Sequence, residues 1–140
     1  MNRVSVRWRG GELAFASAHG DVVRVVPAGL LADGAGCWSP EELLAGAAAA
    51  SYALSLLEAT QRDDLPLIDA TLEAACGTTA TSVELVRIDA TLETLSGYEP
   101  DVLAAAAVAE RGPVLQALNV PVDVQLHVHA AESAATTSLV

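Results

Sequence analysis

A chain of 140 residues, 52% of them apolar, has the length of one domain and enough apolar side chains for a core, which excludes a disordered chain. Its basic residues are all arginine, 7 against 18 acidic residues, and the formal net charge is −11. Only Arg3, Arg7 and Arg9 lie close together, so the charge pattern argues against nucleic acid or an anionic membrane as a partner. The N-terminal stretch MNRVSVRWRG alternates polar with apolar residues and lacks the pattern of a signal peptide. The charge-free run Leu43 to Leu57 is shorter than the ~20 residues of a spanning helix. The expectation is a soluble, cytoplasmic protein.

Val4, Val6 and Trp8 alternate with Ser5, Arg7 and Arg9, which predicts a half-buried strand. Gly10-Gly11 forms a turn, Glu12 to Ser17 alternates again, His19-Gly20-Asp21 forms a second turn, and Val22 to Val26 is a short apolar strand ended by Pro27. Residues 1–27 thus predict an antiparallel meander, followed by a Gly- and Ala-rich loop over 28–38. Ser39 suits an N-cap, Pro40 the first helical position, and Glu41 and Glu42 the first turn; Ser39 with Glu42 completes a capping-box pattern. A helix over 40–60 follows. Because Leu43 to Leu57 is uncharged on every face, this helix needs cover all round, from a sheet and a second helix or from another subunit.

Residues 67–75 and 83–95 alternate as two long strands around Gly77-Thr78-Thr79, giving a strand pair over 67–95. The fragment Ile-Asp-Ala-Thr-Leu-Glu recurs at 68–73 and 88–93, a pattern that two strands burying one face reach by chance. Gly97 to Pro100 forms a turn and 101–119 a helix broken at Gly112-Pro113. Over 120–129, Val122, Val124, Leu126 and Val128 share one strand face and Asp123, Gln125, His127 and His129 the other; 130–140 is a frayed tail. The order βββ-α-ββ-α(α)-β predicts an α+β fold with antiparallel sheets.

The segment Ser39-Pro40-Glu41-Glu42-Leu43-Leu44-Ala45-Gly46, leading through an alanine run into Ser51-Tyr52, resembles the signature helix of the OsmC/Ohr family, the osmotically inducible and organic hydroperoxide resistance proteins. The Gly-rich loop before it, the long strand pair, the helix broken at Gly112-Pro113-Val114 and the last strand extend the resemblance over most of the chain. It implies a single OsmC-like domain over 1–140 and an intertwined homodimer, with two long central helices flanked by sheets. It also implies thiol peroxidase chemistry, with a peroxidatic Cys on the first long helix and a resolving Cys before the Pro of the second. An Arg from the N-terminal strands and the Glu of the Pro-Glu pair orient the peroxide. Carried over by position, Glu41 matches the Glu, Arg9 the Arg (Arg7 being the alternative), Ser51 the peroxidatic position and Gly112 the resolving one. Both sulfurs are missing, and neither a hydroxyl nor a hydrogen can replace the thiolate that attacks an O–O bond.

The remaining candidates are weaker. Cys37 and Cys76 form no CxxC motif; Cys37, two residues before Ser39, is the one that could serve as a relocated thiol, and otherwise both are incidental. Ser51 as a hydrolytic nucleophile lacks a base that the sequence can assign, beyond His19. His127 and His129 have a spacing that metal sites use, but no third ligand, which favours a solvated pair. Arg9 and Glu41 read equally as a pocket pair or as an ion pair at a helix start. No metal or cofactor is expected. The functional expectation is an OsmC-like protein that is no longer a thiol peroxidase, with a pocket for a small apolar or peroxide-like ligand near Arg9, Glu41 and Ser51. An organic hydroperoxide reductase using Cys37 and a purely structural dimer remain the alternatives.

Overall fold

The computed structural model describes the backbone of residues 4–9, 12–17, 22–25 and 37–131, and the side chains of 38–131. The expected turns at 10–11 and 19–21, the loop over 28–36 and the tail beyond 131 lie outside the described residues. The chain divides into two compact units, Met1–Leu44 and Ala45–Val140.

The first unit holds β1 (Val4–Arg9), β2 (Glu12–Ser17), β3 (Val22–Val25) and the short β4 (Cys37–Trp38). β1 to β3 are the expected antiparallel meander, and their register aligns Trp8 with Leu13 and Leu13 with Val25, so the alternation of all three strands falls in phase. β4, read from sequence as part of a loop, adds to β3 in parallel through Arg24 and Val25.

Helix α1 (Pro40–Arg62) starts where the capping box sets it. The Glu42 N–H donates to Ser39 Oγ at 3.1 Å and the Ser39 N–H donates to Glu42 Oε1 at 3.2 Å, so two end donors are satisfied reciprocally. At 23 residues, with a mean hydropathy of 1.3 over its most apolar stretch, α1 reaches the length and composition of a membrane-crossing helix. The charge-free run alone had pointed the other way. One of its faces is nonetheless committed to protein: Ala48, Tyr52, Leu56 and Ala59, at helical spacing, are buried in the core of the second unit.

That core lies between α1 and α2 (Glu99–Ala109) and a sheet of β5 (Leu67–Thr78), β6 (Val83–Thr94) and β7 (Val122–Ala130), in the order β5-β6-β7. β6 is central, and Val86, Ile88, Ala90 and Leu92 on its inner face are fully buried. Thr94 closes the same face by donating to the Pro66 carbonyl at 2.7 Å. β5 and β6 pair antiparallel as expected, but β7 runs parallel to β6, from Val86–Val122 to Thr94–Ala130. The architecture is α+β with mixed rather than antiparallel sheets. The connection through α2 and α3 (Pro113–Ala117) carries the chain back to the starting end of β6, and a crossover of that kind delivers a parallel strand. α2 begins at Glu99 rather than 101, because Pro100 starts the helix instead of ending a turn; the turn proper is carried by Gly97 at φ +94°.

Candidate functional site

Ser51 and Ser55, one turn apart on α1, point toward the start of α3. Gly112 caps α3 at φ −59° and ψ 152°, the extended backbone that a residue before proline adopts. Its N–H donates to the Ala109 carbonyl at 3.1 Å and its carbonyl accepts from Gln116 at 3.0 Å, so the position is fixed between α2 and α3. Glycine is needed there for space rather than for conformation. A β-carbon on residue 112 would lie 2.7 Å from Ser55 Oγ and 3.2 Å from Ser51 Oγ. In a disulfide each sulfur sits about 3 Å from the partner's β-carbon, as an S–S bond of about 2.05 Å requires. Positions 51 and 112 therefore face each other at bridging distance, with a hydroxyl on one side and no side chain on the other.

Two cavities open at this junction. One, of about 400 Å³, is walled by Ala47, Ala50, Ser51, Leu54, Pro113 and Val114. The other, of about 240 Å³, is walled by Arg62, Val108, Arg111 and Gly112. Ser55, Glu58 and Pro113 line both, so the two adjoin along one edge of α1. Beneath them Tyr52 is fully buried, its hydroxyl donating to the Ala106 carbonyl at 3.4 Å. Burial, with the Glu110 carboxylate adding to it, raises the Tyr52 hydroxyl far above the usual phenol range, so it stays neutral.

The other sequence candidates fall elsewhere. Glu41 sits in the first turn of α1 with its Oε2 buried. Arg9 ends β1, opposite Glu12, and Arg7 stands opposite Ala14. Their side chains, that of Cys37 and the whole of His19 lie outside the described residues, and with them the expected meeting of Arg9 with Glu41 and Ser51. Cys76 lies on β5 with its side chain half-buried against the core, and it lines neither cavity at Ser51. His127 and His129 are exposed on the outer face of β7, opposite Thr91 and Glu93. Among the described residues no three His, Cys, Asp or Glu side chains converge as a metal site would need.

No protein-family profile matches this sequence, and no curated protein does. Solved structures do match. An OsmC-like protein of unknown function from Vibrio cholerae superposes with a TM-score of 0.74 at 11% identity, over 90% of this chain and 98% of its own. The organic hydroperoxide resistance protein OhrB of Bacillus subtilis superposes with a TM-score of 0.66 at 19% identity, over 92% of this chain and 98% of its own. An OsmC-like protein from Mycoplasma pneumoniae gives 0.71 at 10% identity, over 94% and 98%. This chain has the OsmC-like fold. At these identities the likeness is one of architecture, and it agrees with the α+β fold implied by the Ser39–Tyr52 motif. Within its own OsmC-like frame the chain brings two of the four inferred positions, Ser51 and Gly112, into contact. Ser55, Glu58, Arg62 and Arg111 complete their surroundings and were not singled out from sequence. Three of them follow Ser51 at four, seven and eleven residues along α1, the periodicity of one helix edge, and that spacing was the available signal. Chemically the site offers hydroxyls that donate and accept, an apolar wall and a few charges at one end. Among the described residues no imidazole lines either cavity.

Proposed function

We propose that this chain is an OsmC-like protein without thiol peroxidase activity, which keeps the cleft at Ser51 as a small-ligand site and works as a cytoplasmic homodimer. The observation that carries the reading is the contact between positions 51 and 112. Peroxide reduction in a thiol peroxidase needs a thiolate that attacks one oxygen of the O–O bond, expels the other as an alcohol and becomes a sulfenic acid. A second thiol then condenses with the sulfenic acid to a disulfide and releases water. Here the two places meet with an alcohol and a hydrogen, neither of which has a reduced state to spend. What remains suits binding. Ala47, Ala50, Leu54 and Val114 supply an apolar wall, and Ser51 and Ser55 supply hydrogen bonds to a polar end.

The dimer is supported by the same edge of α1 that walls the cleft. Ala47, Ala50, Leu54 and Leu57 follow at intervals of three and four residues and are exposed, Leu54 to 68%. A second copy laid along this stripe would cover Leu57 and roof the cleft that Ala47, Ala50 and Leu54 wall.

The test is consumption of cumene hydroperoxide with a dithiol reductant, with the intact chain and a Cys37→Ser variant. The expected rate is that of buffer for both. Turnover well above that rate, lost in Cys37→Ser, would replace this reading with a hydroperoxide reductase using a relocated thiol. An inert chain that also binds no small apolar molecule would leave a purely structural dimer.

A further inference from the structure

We infer that a separate recess at the C-terminal end of α2 takes a small guanidinium-type cation, paired through its N–H fork with Glu110 and lying over the valines at the start of β7. The recess, of about 210 Å³, is lined by Glu110, Leu115, Gln116, Val120, Val122 and Val124. It shares no residue with the cavities at Ser51, so the inference stands apart from the reading of that cleft. It exists because the helices cover the sheet unevenly. Val86 and Ile88 on β6 are fully buried, whereas Val122 and Val124, their register partners on β7, are only half-buried. Glu110 at the end of α2 and Gln116 on α3 place a carboxylate and an amide beside this uncovered stretch.

The lining sets the charge of the ligand. Glu110 is the C-cap of α2, where the carbonyl end of a helix already carries negative potential, and the last turn of α2 holds no basic residue. The carboxylate therefore stands at the helix end where it costs stability. Among the described residues the Glu110 side chain makes no hydrogen bond or ion pair, and neither does the Gln116 amide. No cationic side chain lines the recess; the neighbouring Arg111 lines the cavity at Gly112 instead, and Asp123 is already answered by Arg87 at 3.5 Å. The field of Glu110 also reaches inward, where it adds to burial in raising the Tyr52 hydroxyl. The shape of the cation follows from the acceptors. Two carboxylate oxygens match a planar fork of donors, and the Gln116 side-chain oxygen accepts a further N–H. The weakly hydrated faces of a guanidinium lie on valine side chains at little cost, whereas a compact ammonium holds its water.

The experiment is a chemical-shift titration of the intact chain, at constant ionic strength, with methylguanidinium, N-methylurea and methylammonium. The first two share a planar shape and differ in charge; the third keeps the charge without the fork. The Gln116 side-chain amide and the Val122 N–H report on the recess. Methylguanidinium should shift both saturably and bind about tenfold more tightly than N-methylurea, the scale of one charged hydrogen-bonded contact. Methylammonium should bind more weakly than methylguanidinium. Glu110→Gln should bring methylguanidinium down to the level of N-methylurea, while Asp101→Asn, at the opposite end of α2, should leave the margin intact. Without any probe, the urea midpoint of Glu110→Gln should equal or exceed that of the parent, because a charge leaves the unfavourable end of a helix. Methylguanidinium no tighter than N-methylurea, or a margin that survives Glu110→Gln, overturns the cation site. Methylammonium as tight as methylguanidinium overturns the fork. A lower midpoint in Glu110→Gln makes the carboxylate a structural group and overturns the inference.

Discussion

A β-carbon placed on residue 112 meets the Ser55 hydroxyl at 2.7 Å, inside the contact limit, before it meets anything else. Cysteines at 51 and 112 should therefore bridge only when Ser55 gives way. We expect Ser51→Cys with Gly112→Cys to oxidise slowly, and the same pair in a Ser55→Ala background to close readily in air. Thiol titration before and after reduction reads the difference. The extended φ of −59° at Gly112 adds no backbone penalty to the exchange. Absence of a bridge even with Ser55→Ala would mean that the two positions do not meet. Tyr52, the neighbour of Ser51, makes a second prediction. Its phenol is raised from an ordinary value of 10.0, so above about pH 10 the unfolded chain releases a proton that the native chain retains. The native state then binds more protons, and stability falls with rising pH. The urea midpoint should be level below that pH and decline above it, and Tyr52→Phe should flatten the decline. An unchanged alkaline slope in Tyr52→Phe would remove Tyr52 as its source. At this scale the sequence was only partly legible. Ser51 and Gly112 could be placed through the helix motif, because they sit at fixed distances from Glu41 and Pro113. Ser55 could not, because its importance depends on what stands opposite it.

Along the elements, the start of α1 is the best-specified boundary. Ser39 is buried and exchanges two hydrogen bonds with Glu42. Ser39→Ala should cost about 1 kcal/mol, the usual worth of an N-cap. Ser39→Asp should recover most of it in a chemical denaturation series. Equal stability of Ser39→Ala and the parent would show that the helix start is held by other contacts. The same capping pattern made this boundary readable from the residues alone, as alternation did for β1 and β2, whose ends match the expectation residue for residue. Two features escaped. The start of α2 was masked because Gly97 to Pro100 spells a turn, while Pro100 equally opens a helix. The direction of β7 was masked because alternation has period two either way along a strand; only the path through α2 and α3 decides it.

For the whole molecule the open question is what covers α1. Leu54 is 68% exposed within one chain, so Leu54→Glu should be nearly silent in a monomer, where such surface changes fall within about 0.5 kcal/mol. In the proposed dimer the same change buries a charge against a second helix. We expect light scattering to give twice the 14.3 kDa chain mass for the parent and a smaller or unfolded species for Leu54→Glu. A stable 14.3 kDa parent, indifferent to Leu54→Glu, would contradict the dimer. The placing of β6 also has a consequence for how the chain is made. β5 and β6 are joined across residues 79–82, whereas β6 reaches β7 only after residues 95–121. Synthesis therefore delivers a complete β5–β6 hairpin well before the strand that closes its other side. Until residue 130 leaves the ribosome, β6 presents an open edge, with Val86, Ile88 and Leu92 beside it, to every other nascent copy. In the finished fold those three side chains are fully buried; during synthesis they are the sheet's most adhesive surface.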